Sequence, residues 1–165
     1  MISTALFGDG AAAMVLRRET NARESSALRI GAAAEHTWPG TLDIMGWSID
    51  PIGFGVILSR SLPRFVEQRL AAPVRRFVKN MNLDAPRLIC HPGGAKVLDA
   101  VETALELQKG TLRDEREVLR GHGNMSAPSV LFVLERARKR GLRGQSVLSA
   151  LGPGFTASFL ALESA

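Results

Sequence analysis

Apolar side chains recur at helical spacing in several stretches of the chain. Residues 64–80 place them three or four positions apart, and Pro73 is expected to kink or divide that helix. Residues 95–107 repeat the pattern, with Gly110 as the expected C-terminal cap. A shorter helix over 116–122 runs into glycines, which should end it. The pattern therefore predicts helices separated by short connections.

Short apolar runs bounded by turn residues predict strands between and around these helices. Ser126 is expected to cap a further helix, with residues 129–140 as its body. Because strands and helices alternate, the sequence favours an α/β fold, a mixed β-sheet packed with α-helices, in one domain over 1–165. The predicted strands cover 27–38, 50–59, 85–90, 146–151 and 155–163, with a strand, turn and strand over 3–19 and a loop over 21–26.

Composition narrows the class of protein. The chain is 45% hydrophobic and 22% charged, which is typical of a globular core. Its longest apolar runs are far shorter than the roughly 20 residues that a membrane-spanning helix needs, so no membrane segment is expected. Cys90 is the only cysteine and has no partner for an internal disulfide, which favours the reducing cytoplasm as the location.

The net charge of +5 raises the question of a nucleic-acid partner. Basic residues are densest over 136–143, in the last turn of a predicted helix before Gly141. Positive charge there complements the helix dipole and stays solvated. Because no groove-reading motif and no interleaved aromatic residues accompany this run, nucleic-acid binding is not expected.

The adjacent residues Cys90 and His91 suggest a thiolate with its base. On an extended strand, however, neighbouring side chains point to opposite faces, so the two cannot readily share a hydrogen bond. We therefore interpret Cys90 as a small buried apolar residue. His91 stands where a strand gives way to Pro-Gly-Gly and a helix, and ligands bind at such strand ends in α/β sheets. From the pattern alone, functional and structural roles of His91 are equally open.

Asn124 follows a glycine just before a predicted helix, where asparagine is most often a turn or cap residue. Its significance comes from its combination with His91 and with a Gly-Pro-Gly turn in the final hairpin. Together these features resemble the C-terminal half of the type III polyketide synthases, the chalcone-synthase-like enzymes of the thiolase fold. The motifs that carry the resemblance span almost the whole chain in the family's order: LFGDGAAA (6–13), HPGG (91–94), GNMSAPSVLFVLE (123–135) and GPGFTASFLALE (152–163).

The resemblance implies a Cys-His-Asn triad whose cysteine lies in an N-terminal half that this sequence lacks. His91 and Asn124 match the other two members, which would donate hydrogen bonds to the enolate oxygen formed when malonyl-CoA loses CO₂. The resemblance thus implies an acyltransferase that extends an acyl-CoA starter by decarboxylative Claisen condensation. This chain alone is expected to be inactive, with the N-terminal half as a partner and a homodimer as the full-length assembly.

Further positions match substrate-binding residues of the family. The resemblance implies no metal ion, and no cofactor apart from the coenzyme A thioesters that serve as substrates. Val56 falls where plant chalcone synthases have a gatekeeper phenylalanine, and Ser126 matches a serine that lines the cavity. The remaining matches are Gly93, Gly94, Ala95 and Lys96, beside the pantetheine arm of coenzyme A, and Gly152, Pro153 and Gly154, in the loop that shapes the cyclisation cavity.

Departures from the plant pattern indicate a bacterial-type synthase. Ala127 replaces a second serine, and Ala150-Leu151 replaces the first two residues of the plant GFGPG sequence. A condensing enzyme like the 3-oxoacyl carrier-protein synthases III is an alternative, although those enzymes usually carry an HQAN-like motif where this chain has HPGG. A truncated, non-catalytic module is a second alternative, which the sequence upstream of residue 1 would distinguish.

Overall fold

A computed structural model describes residues 5–18, 28–51 and 53–164. Within these ranges, strands and helices alternate through the middle of the chain, as the sequence predicts. The strands are β1 (Arg29–Thr37), β2 (Met45–Asp50), β3 (Gly53–Leu58), β4 (Arg87–Cys90), β5 (Gly144–Gly152) and β6 (Thr156–Ser164). The helices are α1 (Leu62–Arg69), α2 (Ala71–Asn80), α3 (Ala95–Ala104), α4 (Arg113–His122) and α5 (Pro128–Lys139).

Four of the strands form one sheet in the order β1-β6-β5-β4. β4 runs parallel to β5, whereas the β5–β6 and β1–β6 pairs are antiparallel, so the sheet is mixed. Cys90 packs in an apolar cluster with α1, α2 and α3 on one face. Its neighbour Ile89 packs in a second cluster with α4 and α5 on the other face. The α/β class predicted from the sequence is therefore confirmed.

The helix predicted over 64–80 is divided, as Pro73 suggested. α1 ends at Arg69 and α2 begins at Ala71, so Pro73 lies in the first turn of α2. A proline is tolerated there because the N–H groups of a first helical turn have no intrahelical acceptor. The buried side chains of Val74 and Phe77 then hold α2 against the core.

Two predicted helix caps were wrong. Ser126 does not cap α5, since its own φ is +61° and the N-terminal cap residue is Ala127. The hydroxyl that serves this turn belongs to Ser129, whose Oγ accepts a hydrogen bond from the N–H of Met125 at 2.8 Å. At the other position, α3 ends at Ala104, well before Gly110.

Two strand predictions also need correction. The region predicted as one strand over 50–59 belongs to a hairpin of β2 and β3. Residues 8–18 form no strand, and Val15 is 93% exposed. A strand is stable only when a neighbour takes up its backbone hydrogen bonds along its length, and here the described pairing is an isolated bridge between Phe7 and Asn124, with the N–H of Gly8 donating to the carbonyl of Asn124. The loop predicted over 21–26 lies outside the described residues.

Candidate functional site

His91 lies directly after β4, at the edge of the sheet where β4 and β5 both end. Its backbone N–H donates to the carbonyl of Ser149 at 2.8 Å, which continues the parallel pairing by one residue. Pro92, Gly93 and Gly94 then turn the chain into α3, which begins at Ala95. The backbone of His91 is therefore fixed between the end of the sheet and the start of a helix.

Asn124 lies in the short connection between α4 and α5. Its backbone N–H donates to the carbonyl of Leu6 at 2.8 Å, and its carbonyl accepts from the N–H of Gly8 at 3.0 Å. Gly123 precedes it with a φ of +70°, and a Cβ placed there would be 3.0 Å from the Leu6 oxygen. The chain can pass this closely only because residue 123 has no side chain.

The side chain of Asn124 is buried and points toward the segment that follows His91. Its Nδ2 atom donates to the carbonyl of Gly93 at 3.3 Å, and its Oδ1 atom accepts from the N–H of Ser126 at 2.8 Å. A Cβ built on the same glycine would be 3.9 Å from Nε2 of His91. The two predicted catalytic side chains thus both adjoin Gly93, far apart in sequence but close in the fold.

Burial determines the charge of His91. It lowers the pKa of the imidazole to about 4, so at neutral pH the ring is uncharged. A neutral imidazole carries one N–H donor and one acceptor nitrogen. The Asn124 amide carries two N–H groups, of which the contact with Gly93 uses one. The site can therefore present hydrogen-bond donors without a fixed charge of its own.

Cys90 is unsuited to be a nucleophile in this environment. Burial raises the pKa of its thiol well above the usual value, and the negative charges of Glu115 and Glu102 raise it further. Its backbone N–H donates to Oε1 of Glu115 at 3.1 Å, which satisfies a donor that the edge strand β4 would otherwise leave unpaired. These contacts agree with a structural interpretation of Cys90.

The other predicted positions gather near the same edge of the sheet. Ala95 and Lys96 are exposed in the first turn of α3, and Ser126 is exposed beside Asn124. The Gly152–Gly154 turn follows the end of β5, the strand that pairs with β4, and the N–H of Gly154 donates to the carbonyl of Met45 at the start of β2. That contact connects the turn to the hairpin that carries Val56.

The sequence did not predict the apolar face of the β2–β3 hairpin. Val56 lies opposite Trp47, and Phe54 lies opposite Ile49, so these side chains share an apolar face. Trp47 is 54% exposed and Phe54 is 74% exposed, and their rings meet edge to face at 6.2 Å. The period-two alternation of Met45, Trp47 and Ile49 was the signal that could have predicted β2.

A second group of residues that the sequence did not predict holds the site in place through bonds to its backbone. Leu6 and Gly8 hold the backbone of Asn124, although their segment was predicted to form a strand and turn. Thr41 is buried beside the Gly152–Gly154 turn, and Glu115 is buried beside Cys90. No local sequence pattern distinguishes Thr41 or Glu115, because their roles depend on contacts between distant segments.

The described chain is an α/β domain with a histidine directly after the edge strand β4 and an asparagine in the connection before α5. Residues 29–165 match the family described as chalcone and stilbene synthases, C-terminal domain. The chain belongs to this family and is a C-terminal domain of type III polyketide synthase type.

Several relatives show how far the similarity extends. The 1,3,6,8-tetrahydroxynaphthalene synthase of Streptomyces peucetius subsp. caesius is 42% identical over 172 residues, which cover 99% of this chain and 45% of that protein. A putative chalcone synthase of Bacillus subtilis is 35% identical and covers 97% of this chain and 47% of that protein. This chain therefore spans about half the length of these relatives.

Solved structures confirm the fold. The crystal structure of PKS-I from the brown alga Ectocarpus siliculosus superposes with a TM-score of 0.81 at 26% identity, over 90% of this chain and 42% of that one. A fungal type III polyketide synthase, ORAS, superposes with a TM-score of 0.78 at 22% identity, over 88% of this chain and 44% of that one. Among the described residues, none of the helices is long and apolar enough to cross a membrane.

Proposed function

We propose that this chain is the half of a type III polyketide synthase that supplies the histidine and asparagine of a Cys-His-Asn triad. The complete enzyme would be an acyltransferase that condenses malonyl-CoA with an acyl-CoA starter. The observation that supports this proposal most directly is that the side chains of His91 and Asn124 both lie next to Gly93. The nucleophilic cysteine would come from an N-terminal half.

Decarboxylation of a malonyl thioester requires hydrogen-bond donors at His91 and Asn124 rather than a general base. When malonyl thioester decarboxylates, the bond to the carboxylate carbon breaks, CO₂ leaves and the electron pair delocalises onto the thioester oxygen. An N–H of His91 and an N–H of Asn124 directed at that oxygen would stabilise the enolate. The enolate carbon then attacks the acyl group on the cysteine, and the thiolate leaves. A thiolate next to His91 would raise the pKa of its imidazole and be stabilised in return.

The surroundings suit an acyl thioester of coenzyme A. Gly93 and Gly94 carry no side chains, so a pantetheine arm could run along the backbone into α3. The apolar face of the hairpin, with Val56, Trp47 and Phe54, is suited to wall a cavity for an acyl chain. We extend the proposal to a cytosolic homodimer that needs no cofactor beyond its thioester substrates.

Radiolabelled malonyl-CoA tests the proposal. This chain alone should form no condensation product with any acyl-CoA starter. A complete synthase in which the chain follows its N-terminal half should release CO₂ and form polyketides. In that synthase, His91→Gln or Asn124→Ala should lower the decarboxylation rate about 10²- to 10³-fold, since each removes one oxyanion donor. His36→Gln, on β1, is the matched control and should retain the wild-type rate. Sustained condensation by the chain alone would contradict the proposal.

A further inference from the structure

Thr41 joins two segments of the cavity region through its side-chain hydroxyl. The Oγ1 atom donates to the carbonyl of Trp38 at 2.6 Å and accepts a hydrogen bond from the backbone N–H of Phe155. The N–H of Trp38 in turn donates to the carbonyl of Phe155 at 2.9 Å. Thr41 and Trp38 therefore hold the backbone of Phe155 on both sides.

Phe155 is the residue directly after the Gly152–Gly154 turn. The turn has a second attachment, because the N–H of Gly154 donates to the carbonyl of Met45 at 3.0 Å. Met45 is the first residue of β2. The segment from Trp38 to Met45 therefore bonds to two successive residues, Gly154 in the turn and Phe155 directly after it. The position of the turn relative to the β2–β3 hairpin is thus set by the segment from Trp38 to Met45.

This attachment is shielded from water. Thr41 is 9% exposed and Phe155 is 1% exposed. The rings of Trp38, Phe65 and Phe155 pack around it, with centroids 5.3 to 5.5 Å apart. A buried N–H group that loses its acceptor cannot turn to solvent instead, so loss of the Thr41 hydroxyl would free the backbone of Phe155 to move.

We propose that Thr41 is a positioning residue for product specificity, because it fixes the Gly152–Gly154 turn against the hairpin that carries Val56. This inference rests on the proposed function, in which the hairpin walls the acyl cavity, and it adds the Gly152–Gly154 turn as a second wall of that cavity. The growing β-polyketone thioester would fold against both walls, so their spacing would select which product forms. Thr41 itself does not adjoin His91 or Asn124, and the decarboxylation step should not depend on it.

Two variants and a control separate this role from general stability. Thr41→Val keeps the shape but removes the hydroxyl, whereas Thr41→Ser keeps the hydroxyl. Thr37→Val is the matched control, since within the described residues the Thr37 hydroxyl bonds to the Thr156 hydroxyl, at 2.8 Å and in an exposed position. In the chain studied by NMR, the amide of Phe155 should exchange about tenfold faster in Thr41→Val and at nearly the wild-type rate in the other two.

The complete synthase provides the functional measurement. Thr41→Val should shift the ratio of polyketide products by about fivefold, the change that about 1 kcal/mol in competing barriers produces, while malonyl-CoA decarboxylation stays at the wild-type rate. Thr41→Ser should restore the wild-type ratio. Thr41→Cys, with a weak donor and acceptor, should give an intermediate ratio and supports the test if the valine variant does not fold.

The outcomes distinguish the two proposals. An unchanged product ratio in Thr41→Val or Thr41→Cys, with decarboxylation intact, would overturn the role of Thr41 and leave the proposed function standing. A parallel fall in decarboxylation and in every product would also overturn it, since that result indicates only a general loss of structure. Absence of malonyl-CoA decarboxylation in the wild-type synthase would overturn the proposed function itself.

Discussion

The backbone N–H of Gly8 donates to the carbonyl of Asn124 at 3.0 Å, although the two residues are far apart in the sequence. The N–H of Asn124 returns a bond to Leu6, so the candidate catalytic residue is held by a two-way backbone contact. The LFGDG motif therefore supports the position of Asn124.

Gly8→Ala should displace Asn124. A Cβ at residue 8 would lie 2.3 Å from the backbone carbonyl oxygen of His122, which cannot move without moving the connection to Asn124. A displacement of about 1 Å at a catalytic group can cost about 10²-fold in rate. We expect a loss of that order in malonyl-CoA decarboxylation by the complete synthase, and a shifted NMR signal for the Asn124 side-chain amide. Gly121→Ala, where a Cβ meets nothing within 4 Å, should leave both unchanged.

Glu102 should contribute far more to stability than its neighbour Glu106. The buried carboxylate of Glu102 accepts from the N–H groups of Gly110 and Leu112 and pairs with Arg116 at 2.8 Å. Glu106 makes only an exposed pair, with Arg75 at 2.7 Å. Removing one partner of a buried ion pair costs about 3 to 5 kcal/mol, whereas an exposed pair contributes about 0 to 1 kcal/mol.

Urea unfolding of the two alanine variants measures this difference. Glu102→Ala should lose about 3 kcal/mol or more of unfolding free energy, because two backbone N–H groups and a guanidinium lose their acceptor together. Glu106→Ala should lose less than about 1 kcal/mol. Equal losses in the two variants would show that burial does not strengthen the Glu102 contacts.

The sequence predicted the sheet and most helices because their signals are local. The division of the helix just before Pro73, the final hairpin of β5 and β6, and the strand before His91 all follow from periodicity and turn residues within a short window. The strand predicted within 8–18 failed for the opposite reason. Its apolar residues would have suited a strand, but a strand depends on a partner, and partners are not visible in a local pattern.

The candidate site was predictable only through its motifs. From spacing alone, the role of His91 could be functional or structural, and Asn124 was interpreted as a turn or cap residue. The resemblance connected them, and the structure places both beside Gly93. Thr41 and Glu115 carry no such motif, because each acts through a single bond to the backbone of a residue distant in sequence, Phe155 and Cys90. Contacts of that kind become evident only in three dimensions.

Cys90 should react slowly with iodoacetamide in the folded chain. Burial, together with the nearby charge of Glu115, raises its thiol pKa, and each pH unit of increase lowers the thiolate fraction about tenfold. At pH 8, modification of the folded chain, followed by mass spectrometry, should be at least about tenfold slower than that of the chain unfolded in urea. Cys90→Ser is the blank for reaction elsewhere. Fast modification with an apparent pKa below that of free cysteine would identify Cys90 as a nucleophile.

Two buried groups near the end of β4 should have opposite effects on the pH dependence of stability. Burial raises the pKa of Glu115 from 4.5 to about 7 and lowers that of His91 from 6.5 to about 4. Between about pH 4.5 and 6.5 the folded chain holds an extra proton on Glu115, and the unfolded chain holds one on His91. The two differences cancel, so together these groups should leave the unfolding free energy nearly level across that range.

Single substitutions should reveal each effect. Glu115→Gln removes a group whose protonated form is favoured in the folded chain, so relative to wild type the unfolding free energy should rise by about 3 kcal/mol from pH 4.5 to 7. His91→Gln removes a group whose charged form is favoured in the unfolded chain, so relative to wild type the unfolding free energy should fall by a similar amount from pH 4 to 6.5. Urea unfolding at intervals of half a pH unit measures both. All other titratable groups are shared, so parallel profiles for the three proteins would show that neither pKa is displaced by folding.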